Sequence, residues 1–205
     1  YAPFAKSTKQ YDYPQAAGMV LSSLHEFSPL LEEHVRRVFE NNHLDAEPRP
    51  GKRGGAFCYA ALPGLTPWVL VNYTGHARDV ATLAHELGHA LHASLAGGHS
   101  VLTFSPSLPM AETASVFSEM LLTEQLMGSE TDLDVRRDIL ARAIDDAYVT
   151  VMRQAYLSIF ERDAHKVVAD GGGFDEVCAC YMANLHEQFG DAMEVSNEFK
   201  WEWIA

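Results

Sequence analysis

Cysteine is scarce in this 205-residue chain, with three in all: Cys58, Cys178 and Cys180. An odd, sparse set is no disulfide framework and fits a reducing compartment, so a cytoplasmic location is expected. Basic residues are also few. Fifteen Lys and Arg stand against 28 Asp and Glu, a formal net charge of −13. Such a chain repels phosphate backbones, which argues against a nucleic-acid partner. No apolar run approaches bilayer length, which argues against a membrane partner. The opening Tyr1–Gln10 has no apolar signal-peptide core. The chain begins on Tyr1 and stops inside the aromatic stretch Phe199-Lys200-Trp201-Glu202-Trp203-Ile204, so it reads as a fragment of a longer protein.

What remains is ordinary globular composition, 47% hydrophobic and 21% charged, enough to bury one core. The chain divides by its breakers. Residues 1–50 read as helical, with Pro14 near the start of one helix and Ser28-Pro29 restarting a second. The Pro/Gly-rich Glu47–Gly55 interrupts them. Residues 51–78 read as a hairpin: Ala56–Tyr59 and Trp68–Tyr73 are aromatic and β-branched, separated by Pro63, Gly64 and Pro67. Residues 79–128 read as two helices, the first capped by Asp79 and closed by Gly97-Gly98, the second running from about Met110 to Met127. Residues 129–205 read as helical, with continuous periodicity from Thr131 to Asp170, a stop at Gly171–Gly173 and a last helix over Phe174–Phe189. The fold class expected is mainly α with one small sheet or hairpin, in a single catalytic-core domain.

The chemistry concentrates in His85-Glu86-Leu87-Gly88-His89, a His-Glu-x-x-His motif on an expected helix. Residues four apart on a helix are neighbours, so His85 and His89 can aim two imidazoles at one ion. Zinc accepts such nitrogens and prefers four ligands. Glu86 sits about 100° round from His85, beside the ion rather than on it, where it can take a proton from an attacking water. Leu83, Leu87, Leu91 and Leu95 form an apolar stripe that packs this helix inside the molecule.

A third ligand is needed, and two residues compete. His92 lies on the His85 face, but a rigid helix cannot curl three rings round one ion; it reads better as a histidine supporting the site or packed in the core. Glu112 is the better candidate: it follows His89 by 23 residues, across a Gly/Pro-rich loop able to return a second helix over the first, and His₂Glu is a catalytic zinc set. Glu119, seven residues on, shares the Glu112 face; it either holds the far nitrogen of a ligand histidine or is a plain surface glutamate. Ser115 has a similar, weaker case.

The segment HELGHALH (85–92), followed by AETASVFSE (111–119), resembles the thimet-oligopeptidase group of zinc metallopeptidases and within it the oligoendopeptidase F branch. PRPGKRGGAFC (48–58) and WVLVNYTGHARDVATLAHELGHALH (68–92) are similar to that group's approach to its zinc helix. The resemblance implies a zincin-like helical metallopeptidase core with a deep channel that admits oligopeptides and excludes folded proteins. It implies one Zn²⁺ per chain held by His85, His89 and Glu112, with Glu86 as the catalytic glutamate. It also implies a Tyr/His-bearing segment just past the Trp-rich stretch, and partners in the N- and C-terminal remainder of a parent chain. Two rival readings stand beside it: another His-Glu-x-x-His peptidase of thermolysin-like type, and a metal-binding helical fragment without activity of its own. Against the thermolysin-like type, position 116, four after Glu112, carries Val116 where an acid is expected.

Overall fold

Two turn signals set the first helices. In a computed structural model that describes residues 9–204, Asp12 accepts the Gln15 backbone N–H at 2.7 Å and Pro14 sits in the first turn of α1 (Tyr13–Phe27). Ser28 then takes extended backbone, and Pro29 opens α2 (Pro29–Glu40). Proline is tolerated there because a first-turn N–H has no helical partner. The two helices bury Ala16, Val20 and Leu24 against Val35 and Val38.

The expected hairpin is there, with an addition. β2 (Phe57–Tyr59) pairs antiparallel with β3 (Trp68–Leu70), and β1 (Leu44–Asp45) pairs parallel on the far side of β3, giving the order β1-β3-β2. Residues 1–50 are therefore not wholly helical. The Val69 N–H donates to His43 and that of Val71 to Asp45. Lys52 closes the Pro/Gly-rich loop over this pairing: its side chain is 2% exposed, and Nζ donates to the carbonyls of Asp45 at 2.9 Å and Val71 at 2.7 Å. The arrangement leaves β2 at a sheet edge.

α3 (Ala77–Leu95) starts two residues before Asp79. Asp79 is not the cap itself; it reaches back from the first turn to accept the His76 N–H. Leu83, Leu87 and Leu91 are buried, each contributing roughly 1.5–3 kcal/mol of apolar transfer. Leu95, the last residue of the helix, leaves the stripe and is half exposed. A loop leads to α4 (Leu108–Ser129), which packs along α3.

The chain folds as two compact units, 1–139 and 140–205, where the sequence read as one core. α5 (Leu133–Ala147) bridges their boundary in sequence. In the second unit a π-helical stretch, Tyr148–Arg153, leads into α6 (Gln154–Ala169). The continuous periodicity thus starts two residues later than expected, at Leu133, and is interrupted once, in this widened turn. Gly171, at φ +83°, makes the turn to α7 (Phe174–Phe189), since an L side chain is strained there. Phe160, Val177, Tyr181 and Leu185 form this unit's core, with Trp203 packed against it from the closing 3₁₀ turns, Asn197–Ile204. The architecture is mainly α, with seven α-helices and one three-stranded sheet among the described residues.

Candidate metal centre

The crossing of α3 and α4 is set by a residue with no side chain. A Cβ at Gly88 would lie 2.6 Å from the Ala114 carbonyl oxygen, 2.7 Å from Ser115 Cα and 2.9 Å from Ser118 Cβ. Only hydrogen fits, and Ala114, Ser115 and Ser118 are small on the facing side. This close approach brings an α4 carboxylate over the α3 histidines. Read along the sequence, Gly88 is only a variable position of the motif; glycine inside a buried helical pattern was the available signal.

His85, His89 and Glu112 converge. One ligand atom from each lies within 4.8 Å of the others. Glu112 Oε2 is 3.3 Å from His85 Nε2 and 3.5 Å from His89 Nε2, and the two rings stand at 88°. In a tetrahedron with bonds of about 2.0–2.1 Å, neighbouring ligand atoms are about 3.3–3.4 Å apart. The donor set, and the spacing of Glu112 from both histidines, fit zinc.

The residues around this cluster orient it. Glu119 Oε1 is 2.5 Å from His85 Nδ1, which leaves Nε2 facing the cluster. The fully buried Ser115 donates its hydroxyl to Glu112 Oε2 at 2.7 Å. His92 stays out of the cluster; it lines an adjoining cavity of about 260 Å³ with Cys58, Ala93, Phe104, Leu108 and Ala111, a mostly apolar lining. Glu86 is 7% exposed and lines a second cavity, of about 370 Å³, also lined by Asn72 and Thr82. The Cys58 backbone N–H, on edge strand β2, donates to the Glu86 carboxylate, a contact no sequence motif announces.

Burial and mutual charge tune these groups. Burial pushes the Glu86 carboxyl above the usual carboxylate range; His85 and the Cys58 N–H pull it back, while Glu112 pushes it further up. Burial holds His89 below the ordinary imidazole value, which favours its neutral form. Burial also works against charge on His85, but the Glu119 hydrogen bond and charge prevail and raise it. The Cys58 thiol, desolvated and near Glu86, is pushed up to about 12 and stays un-ionised. All three cysteines are free. No helix among the described residues is long and apolar enough to cross a membrane.

A helical core presenting a His-Glu-x-x-His helix and a crossing carboxylate defines the class, a metallopeptidase-type scaffold. Residues 11–202 match the model of Peptidase family M3, and the chain belongs to that family. It is 30% identical to oligopeptidase PepF of Bacillus subtilis over 99% of this chain and 31% of that protein. It is 27% identical to the chromosomal oligoendopeptidase F of Lactococcus lactis subsp. cremoris, over 99% of this chain and 34% of that protein. The chain thus spans about a third of the length of these curated relatives. Among solved structures, one from Chlamydophila abortus is 26% identical, with a TM-score of 0.76 over 95% of this chain and 33% of that one. PZ peptidase A with an inhibitor, at 18% identity, shares the fold, with a TM-score of 0.70 over 94% of this chain and 35% of that one.

Proposed function

We propose that this chain carries the catalytic zinc site of an endopeptidase that hydrolyses short oligopeptides. His85, His89 and Glu112 would hold the ion, and Glu86 would serve as general base. The observation that carries this reading is the meeting of both Nε2 atoms on one Glu112 oxygen, with Glu86 buried beside them. When bound, zinc supplies a lowered pKa of about 7 for water and polarises a carbonyl. Glu86 takes a proton from the attacking water as its oxygen adds to the scissile carbonyl. Glu86 then passes that proton to the leaving amine, so one water is consumed and a carboxyl and an amine are released. Its raised pKa suits both halves of this exchange. Edge strand β2 runs beside the site, where an extended peptide can pair along it. Ser115 and Glu119 act by fixing Glu112 and His85. His92 serves as a wall of the apolar cavity, where it meets a substrate side chain. The same reading places the protein in a reducing cytoplasm, its three thiols free.

The thermolysin-like alternative is disfavoured by the source of the orienting acid. Here it comes from Glu119, seven residues past Glu112, and position 116 is valine. The test pairs zinc analysis with cleavage of an internally quenched short peptide by the full-length protein and its Glu86→Gln variant. The variant is expected to keep zinc and lose at least about a hundredfold in kcat. Undiminished cleavage would remove Glu86 from its role; zinc binding without any cleavage by the unaltered protein would favour a purely metal-binding module.

A further inference from the structure

The cavity beside Glu86 holds a cation that peptide-bond hydrolysis does not use. Asn72, Arg78, Asp79 and Thr82 line it together with Glu86. Two of these are committed elsewhere. The Asn72 amide donates to the Arg53 and Gly55 carbonyls. Asp79 accepts from the Thr74 N–H at 2.8 Å, its hydroxyl at 2.6 Å and the His76 N–H at 3.1 Å. Arg78 is exposed, and no carboxylate among the described residues pairs with it. Other cations of this unit are engaged: Arg49 and Lys52 hold Asp45, and Arg53 lies over the Phe57 ring.

Position sharpens the case. Arg78 precedes His85 by seven residues, so it shares that helix face about 10 Å along the axis. An extended peptide covers this in about three residues. In a chain of net charge −13, most of the surface repels acidic peptides, and one unpaired guanidinium in the cleft becomes discriminating.

We propose that Arg78 is a specificity residue that binds a substrate carboxylate about three residues from the scissile bond. This rests on the peptidase reading above and deepens it. The carboxylate comes either from the peptide C-terminus or from an Asp or Glu side chain; both present the same bidentate acceptor to the fork.

The test uses the zinc-loaded full-length protein and matched quenched peptides. One pair differs only in a C-terminal carboxylate against an amide. The other carries Glu against Gln three residues from the cleaved bond, on either side. A charge-assisted pair predicts a preference of about tenfold in kcat/KM for the charged member, read mainly in KM. A response from the first pair alone identifies the C-terminus, and from the second alone a side chain. Arg78→Gln is expected to bring the responding ratio to about one, Arg78→Lys to keep part of it, and Arg78→Glu to reverse it. Equal cleavage of both members of both pairs by the unaltered protein overturns the Arg78 assignment and leaves the peptidase reading standing. So does a preference that survives Arg78→Gln. Cleavage of no peptide at all overturns both.

Discussion

The two compact units each contain a polar cluster, and the clusters differ in what they leave over. In the second unit, Arg153 donates to Tyr181 at 2.6 Å and to Gln188 at 3.0 Å, and pairs with Glu202 at 3.0 Å. Tyr181 donates to Glu202, and Gln188 to Tyr148. One cation meets one anion, and the neutral groups satisfy each other around them. In the first unit, Glu86, Glu112 and Glu119 surround only two imidazoles. Even with both rings protonated, a negative charge is left over. A cluster that closes its own hydrogen bonds is a strut. One whose lone pairs converge with charge unbalanced is a receptacle for a cation, because uncompensated like charges in a half-buried site are costly.

That contrast can be broken or sharpened by substitution. The largest effect is expected from His89→Ala, which leaves two of three donors. Zinc affinity, measured by competition with a chromogenic chelator, should fall by more than the 10- to 100-fold that supporting residues contribute. Retention of tight zinc would break the contrast. Glu119→Gln comes next, with a loss of about 10- to 100-fold in zinc affinity and little change in the denaturation midpoint of the metal-free protein. Gly88→Ala should cost about 1–3 kcal/mol in urea unfolding, with zinc binding weakened too, since the methyl group pushes α4 and Glu112 off α3. Tyr181→Phe is the smallest change. It should cost about 1 kcal/mol of stability and leave zinc affinity untouched; a change in zinc affinity would show that the second cluster is more than a strut.

Affinity for zinc should also depend on pH in a definite direction. Imidazole must be neutral to ligate, so binding weakens as pH falls and protons compete for the rings. His85, raised by Glu119, is protonated first on descent; His89, lowered by burial, follows. Zinc titrations at stepped pH in the Glu119→Gln background should show the weakening displaced to lower pH.

Much of this was legible in the sequence where local periodicity governs. The spacing of His85 and His89, the buried Leu83, Leu87 and Leu91, the β2–β3 hairpin and the span of α7 all follow from one-dimensional patterns. Glu112 was reachable because loop signals bring the next helix back. The rest depends on how elements meet. The role of Glu119 waits on the crossing angle of α4. The grip of Cys58 N–H on Glu86 is a backbone contact that no side-chain pattern encodes. β1 is two residues long and exists only because β3 lies beside it. Leu95 fits the stripe yet stays half exposed at the last position of α3. The second compact unit was invisible because helical periodicity runs through its boundary.

The close approach at Gly88 has a consequence for tolerance. A metal site accepts errors of about 0.2 Å in its bond lengths, while one added carbon at position 88 would ask neighbouring backbone to give way by several tenths of an ångström. The precision of the chemistry is thus gauged by a hydrogen atom on a residue that takes no part in it. Substitutions at the cavity walls leave that gap as it is, whereas a substitution at the spacer does not.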